Sequence, residues 1–546
     1  DELTVAMSAD AEGRSVPARA EARGAVSARQ KDRQITAKDR LMVEMASVPA
    51  PPLDRQTMAA RARARGIDPA ALDWNALEAK QQNRREVAVV HLEAFGDVRA
   101  VDPAEKLNLS AEELRCWIPD GRHIEQAAIV GADGREAEVE LGDYYVRGPQ
   151  VKTNVKTQCA EVPSAGLLRF RSYEDLNGEH LDKPVPVTIS WSKHMALDGE
   201  RNAGVFVGGV HAVSRDSVLD CQELRIAFAD VRESPASQPA GMPTTAPGVD
   251  RFWVFDPLVR QLTEGEKKRP SDQPVAAVRK RPVRIVAAGE ARATSTTFDE
   301  KDRVRILSRL RIDGPQIAVD LENDAMTVAG AGHLLIEDYR APQARRRAAP
   351  GKAAPARDPF GAGLSVESPS QTLFTWQNAM SYFARRNLAV FDRDVTMTHL
   401  SGALIKLGPQ LAQAMKLDIA GLQAARGRRA GLRCDNLIVE FLRDPASRKR
   451  SDDPTPLAGA TELRQFRASG NARLEEGTRS IDGDLITFNR VTNMVRVFGS
   501  PTTPALMLDQ YEPSGKWQRW WGESLSYNLE TGEVVAEHSV VSASGG

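Results

Sequence analysis

Cysteine is scarce in this 546-residue chain, and the placement of the four excludes more than their number does. Cys116, Cys159, Cys221 and Cys434 lie far apart without a Cys-x-x-Cys pair, which argues against a zinc site and against a disulfide framework. Aromatic residues make up 5% of the chain, fewer than a large enzyme pocket would draw on. Charge of one sign is missing too: 73 basic residues face 74 acidic ones, and the two are interspersed. No global field therefore selects a nucleic acid or a membrane surface. No apolar run approaches the roughly 18 residues a spanning helix needs. The histidines (His91, His123, His180, His194, His211, His333, His399 and His538) are scattered singly, with no i,i+2 or i,i+4 pair to suggest a metal. There is no G-x-S-x-G elbow, P-loop, H-E-x-x-H or strand-linked G-x-G-x-x-G. Acidic pairs such as Asp299-Glu300 and Glu475-Glu476 read as solvated turns. The sequence thus predicts a non-enzymatic protein without cofactor, metal or nucleic-acid partner. It opens on Asp1-Glu2-Leu3 rather than on methionine, which reads as a processed or trimmed product with any signal peptide out of view.

Repetition is what the chain has instead. Short segments of the form small-x-Gly-x-(Val/Ala) recur around Gly24, Gly96, Gly208, Gly289 and Gly470, with a glycine-free copy at Phe391-Asp392-Arg393-Asp394-Val395. Gly24 to Gly208 is 184 residues, Gly96 to Gly289 is 193, Gly208 to Arg393 is 185 and Gly289 to Gly470 is 181. A superrepeat of two half-units accounts for all four spacings. Other markers keep the same phase. Gly148-Pro149-Gln150-Val151 returns as Gly314-Pro315-Gln316-Ile317, each followed by an Ala-Gly whose glycine is Gly166 or Gly332. Trp191-x3-Met195 returns as Trp376-x3-Met380 and as Trp521-x3-Leu525. These tryptophans are read as core pins rather than ligand-stacking surfaces, since structural repeats need such anchors at a fixed phase. A second signature, (Ile/Leu)-x-small, appears at Ile35-Thr36-Ala37, Leu109-Ser110-Ala111, Leu219-Asp220-Cys221, Leu432-Arg433-Cys434 and Ile481-Asp482-Gly483. Cys221 and Cys434 fill a slot held elsewhere by Ala or Gly, so they read as small buried fillers.

The periodicity is that of strands. Ile226–Phe228, Ile438–Phe441, Leu485–Phe488 and Met494–Phe498 alternate with period two, separated by Gly-Asp, Gly-Gly and Asn-Arg turn pairs. Strands at roughly ten-residue spacing predict an all-β sandwich, jelly roll or solenoid. The superrepeats are placed at 1–190, 191–375 and 376–546. Helical insertions are expected at about 56–85 and 404–428, and a disordered one at about 341–370. Pro-rich stretches at 48–52, 233–248 and 444–456 read as connecting loops. The basic clusters Lys267-Lys268-Arg269 and Arg279-Lys280-Arg281 could meet lipid phosphates, with a solvated face as the blander reading.

The closing stretch carries a family resemblance. Ala468-Ser469-Gly470-Asn471-Ala472, then Ile481-Asp482-Gly483-Asp484-Leu485-Ile486-Thr487-Phe488 and Val495-Arg496-Val497-Phe498-Gly499, resembles the OstA-like (LptA-like) domain of lipopolysaccharide-transport proteins. That pattern is a Gly-Asn turn, an Ile-x-Gly/Ala-Asp strand start, an aromatic-ended strand and a glycine at the next turn. Looser copies surround Gly24 and Gly96, and the likeness covers about half the chain.

The resemblance implies a periplasmic, cell-envelope protein: a repeated open β-jelly-roll, or open β-sandwich, whose sheets form an apolar groove. The implied ligand is lipopolysaccharide or a similar lipid, and the implied protein partners are β-domains that extend the sheets edge to edge in outer-membrane biogenesis. Candidate groove residues are Phe206, Leu224, Phe228, Leu437, Phe441, Ile486, Phe488, Val495 and Val497. The alternative is a non-enzymatic envelope scaffold with closed β-repeats, in which the same side chains fill a sandwich core. Which strand parity faces inward stays open at this level.

Overall fold

A computed structural model describes the chain from Glu2 to Ala543. Outside the description lie 51–54, most of 65–84, 175–179, 232–278, 340–369, 402–427, 444–459, 512–515 and a few shorter runs. The expected all-β architecture holds, and the strand pairings are antiparallel throughout the described residues. The α-helix Arg55–Ala64 falls within the first expected helical insertion, whose remainder is largely outside the described residues. The second helical insertion and the 341–370 insertion also lie outside them, save that Arg428 and Ser370 each open a strand rather than belonging to an insertion. The chain divides into two compact units: Asp1–Arg171 with Thr188–Gly208 and Ala227–Arg281, and Ser172–Val187 with Gly209–Ile226 and Pro282–Gly546.

In the second unit, long strands each serve two layers. The strand Leu388–Ser401 pairs through Leu388–Asp392 with Ala379–Phe383, and through Thr396–Ser401 with Arg428–Arg443 and with Ser370–Trp376. Arg428–Arg443, Ala460–Glu476 and Arg479–Asn489 cross between layers in the same way. At each crossing two residues of one strand oppose a single residue of its neighbour. Arg393-Asp394 and Gly470-Asn471 lie opposite Asp435, and Gly470-Asn471 also lies opposite Asp484. In the first unit Gly96-Asp97 opposes Glu112 in the same fashion. The two repeat signatures are therefore the two sides of one β-bulge, the glycine signature supplying the doubled side and the small-residue signature the single side.

The backbone explains the glycine. Gly24, Gly96, Gly208, Gly289 and Gly470 all carry positive φ, and so does the residue after four of them: Asp97, Gly209, Glu290 and Asn471. At Gly470 (φ 77°) a Cβ would also collide with the Asp435 carboxylate. The glycine-free copy keeps the geometry against its side chains' preference, with Arg393 at φ 65° and Asp394 at 49°. There Gln377 N–H donates to the Arg393 carbonyl at 2.9 Å, as Lys38 N–H donates to Gly96 at 2.6 Å.

The small-residue slot has a steric cause. Ala37, Ala111, Cys221 and Cys434 are all 5% exposed or less, and a Cβ at Gly483 would strike Val497 Cγ1 of the opposite layer. The layers converge at this line, which leaves room only for small side chains. Burial pushes the Cys434 thiol up to about 12, consistent with an inert filler. The repeated tryptophans brace the same line. Trp191 Nε1 donates to the Ser164 carbonyl at 2.8 Å and Trp376 Nε1 to that of Gly330 at 3.0 Å. Their rings cover Gly166 and Gly332, where a Cβ would not fit. Trp521 is only half-buried and lies under the Arg519 guanidinium.

Substitution at the bulge should report this strain. Gly470→Ala is expected to lower the urea midpoint of the second unit by an amount equivalent to about 1–2 kcal/mol from φ alone, and more from the clash. Asp435→Ala in that background should recover the clash component, and Arg393→Gly in the parent should raise the midpoint. Equal midpoints for parent and Gly470→Ala would show that the bulge is not strained.

Candidate functional site

Between the layers of the second unit runs an apolar seam, perpendicular to the strands. In one layer Ala287, Ile317, Val328, Met380, Phe391, Leu437, Ala468, Ile486, Val497 and Leu525 are direct cross-strand neighbours in that order. All are 3% exposed or less. Nine steps of ~4.8 Å make this row roughly 43 Å long. A second row, two residues further along each strand, includes Tyr382, Ala389, Val439, Phe466, Phe488, Val495 and Tyr527. The facing layer contributes Ile312, Leu334, Phe374, Met397, Leu432, Leu474, Ile481 and Met507, again paired one to the next. The layers touch through these rows: Phe374 stacks on Phe391 with ring centroids 5.0 Å apart, and Trp376 tilts against Phe391 at 5.6 Å.

Six of the nine sequence candidates meet in this one interior. Leu437, Ile486 and Val497 occupy the first row, Phe488 and Val495 the second, and Phe441 sits at its end, 7% exposed. Leu224 is buried on Ser217–Val231. Phe206 belongs to the first unit, where it pairs with Met195 and packs on Trp191 at 5.3 Å. Phe228 is half-buried beside Gly204, near the Phe206 ring. The first unit has layers of the same kind. Ala94, Leu114, Ile129 and Val151 form one row, and Ala100, Leu109, Val139, Val146 and Leu168 another.

Every layer crossing of the second unit in the described residues falls at the bulge line; the opposite rim carries the far ends of the strands. The interior there turns polar, a feature that apolar periodicity cannot reveal. Arg479 of one layer donates to Tyr527 Oη of the other at 2.9 Å and to Asp509 Oδ2 at 2.6 Å, with its guanidinium 4.8 Å from the Tyr527 ring centre. This contact ties the two layers together at that rim. On the same row His399 is 4% exposed, with Nδ1 2.8 Å from Thr372 Oγ1. Its Nε2 is buried and meets no hydrogen-bond partner among the described residues. On the outer face, Asp313 is held well below the usual carboxylate range: burial works against its charge, and His333, Arg311 and Arg292 overcome it. No group of three or more His, Cys, Asp or Glu side chains placed to hold a metal occurs among the described residues.

Comparison with known proteins adds little. No family model matches the chain, and no curated protein matches it. A solved structure that it is similar to is LptH from Pseudomonas aeruginosa, titled the LptA homologous periplasmic component of the lipopolysaccharide transport device. The two are 9% identical, the match covers 23% of this chain and 77% of that one, and the TM-score is 0.17. A score this low carries no argument about either fold or role.

The rim histidine makes acid a probe of the interior. Burial pulls the His399 imidazole down to about 4, so the fold favours its neutral form. Its contribution is therefore complete above the ordinary histidine value near 6.5 and is lost as pH falls from there to about 4, at a cost of up to about 3 kcal/mol. His399→Leu should flatten the urea midpoint between pH 6.5 and 4 relative to the parent. Parallel profiles would mean that His399 is solvated in the folded protein.

Proposed function

We propose that this protein binds the acyl chains of a lipopolysaccharide-like amphiphile between its β-layers and carries it across the bacterial envelope. The observation that supports this most directly is the uninterrupted apolar row from Ala287 to Leu525. It follows one interior across ten strands without a single polar side chain. Acyl chains would gain about 25 cal/mol for each Å² removed from water along such a row. The layers are tied by chain crossings on the bulge side, so a lipid would enter from the rim, where Arg479 and Tyr527 meet. Leu437, Ile486, Phe488, Val495 and Val497 would line the path, with Phe206, Leu224, Phe228 and Phe441 in the corresponding interiors. A periplasmic setting belongs to the same reading, as does an edge-to-edge β-partner. The strand Glu2–Ala9 supports the latter: among the described residues it pairs with Ser15–Arg23 alone, and Leu3 (71%), Val5 (48%) and Met7 (55%) are exposed.

A second reading, a closed envelope scaffold, is favoured by the burial of those same side chains. With the layers in contact, Leu437, Ile486 and Val495 are each 0% exposed, so lipid entry requires the layers to part. Photo-crosslinking separates the two readings. A benzophenone side chain at Ile486 should capture a long-chain amphiphile that survives purification, and one at the outward Thr487 should not. Native mass spectrometry with organic extraction should then recover near-stoichiometric lipid. A clean apo mass, unchanged after incubation with lipid A, together with no adduct at Ile486, would leave only the scaffold.

A further inference from the structure

The outer face of the layer carrying Leu437 and Ile486 holds a feature the seam does not use. Side chains alternate across a strand, so the residues next to the seam positions point away from it. They form their own cross-strand row: Ile438 beside Arg467, Arg467 beside Thr487 and Thr487 beside Arg496. Here the sheet surface is hollowed into an open recess of about 500 Å³. Its lining includes Leu388, Ile438, Arg467, Thr487, Met494 and Arg496.

Two properties of the recess point to a ligand. Arg467 and Arg496 are both exposed, and among the described residues neither guanidinium has an ion-pair or hydrogen-bond partner. The neighbouring carboxylate, Glu440, is already engaged by Arg464 and by Gln465. Among the described residues the recess thus keeps two unneutralised guanidinium groups, while the carboxylate in its lining is engaged by others. The arginines also flank a hydroxyl. They stand on the strands either side of Thr487, so their Cα atoms are roughly 10 Å apart, a span that two long side chains close around a single tetrahedral anion. Guanidinium groups offer forked donors that match phosphate oxygens, and the Thr487 hydroxyl between them, which here donates to the Arg496 carbonyl at 3.5 Å, adds a donor when it turns to an anion. Beside Arg467 the recess has an apolar end, made by Ile438 and Leu388, which free inorganic anions would leave uncovered.

We propose that Arg467, Thr487 and Arg496 form a binding site for a phosphomonoester, its phosphoryl group between the two guanidinium groups and its organic substituent against Ile438 and Leu388. The three residues stand on the outer face, while Phe466 and Phe488 of the seam's second row also touch the recess. The same phosphoryl chemistry could be presented by a soluble phosphomonoester or by a lipid headgroup such as phosphatidate.

The full-length protein should be titrated calorimetrically with phenyl phosphate and with inorganic phosphate, and tested for flotation with phosphatidylcholine vesicles containing phosphatidate. Arg467→Gln/Arg496→Gln and Thr487→Val are the variants. All three positions lie on the outer face, so the circular-dichroism melting curve of each variant should match the parent. The expected result is saturable binding of phenyl phosphate, tighter than that of inorganic phosphate. Each arginine removed should weaken it about tenfold or more, and Thr487→Val should weaken it less. Binding of soluble phenyl phosphate would identify a soluble source, and flotation alone, lost in the double variant, would identify a lipid headgroup. Absence of binding to both, or binding that the double variant leaves unchanged, would overturn the proposal.

Discussion

The bulge that carries each long strand from one layer to the other is the constraint on which the second unit depends. A strand with period-two alternation has one apolar face, and bending it without adjustment would turn half of that face to water. Placing two residues opposite one at the bend takes up the change of direction and leaves both halves with their apolar sides inward. In Ala460–Glu476 the inward residues are Phe466 and Ala468 before the bend, then Ala472 and Leu474 after it. The geometry demands left-handed backbone, which is why glycine recurs there, and close approach of the layers, which is why its partner slot holds Ala, Gly or Cys. Sequence repeat, layer crossing and continuous interior have one cause.

Much of this was legible in the sequence because it is local. Gly470, Gly96 and the Ile481-Asp482-Gly483 slot announce themselves through conformational and steric demands made within a few residues. The strand assignments rest on alternation, which is also local. That Arg393-Asp394 would adopt the geometry without glycine followed from phase alone, since neither residue favours it. The inward parity was not legible. On the doubled side the four-residue step from Ala468 to Ala472 keeps the alternation, but on the single side the three-residue step from Cys434 to Leu437 reverses it. Simple alternation cannot be carried through such a step.

The polar features escaped for a different reason. Arg479 meets Tyr527 and Asp509 across 48 and 30 residues of sequence, and Arg467, Thr487 and Arg496 come from three strands. None has a motif, because the sheet rather than the chain brings them together. His399 looked like one more isolated histidine, and only its place on the inner row shows that its ring is desolvated. A sequence rich in repeats reveals what each unit shares. It is silent about what distinguishes one unit from the next, and the polar contacts of Arg479 and His399 are of that kind.

The seam runs across the strands, so each strand adds the same slice of interior whatever its neighbours are. Length is then a freely adjustable property of this architecture. Inserting or deleting one bent strand pair would change the span of the interior by two strand spacings, roughly 10 Å, while leaving its cross-section as it was. A protein built this way can be fitted to the width of a gap by duplication alone, with no redesign of the surfaces that meet inside it.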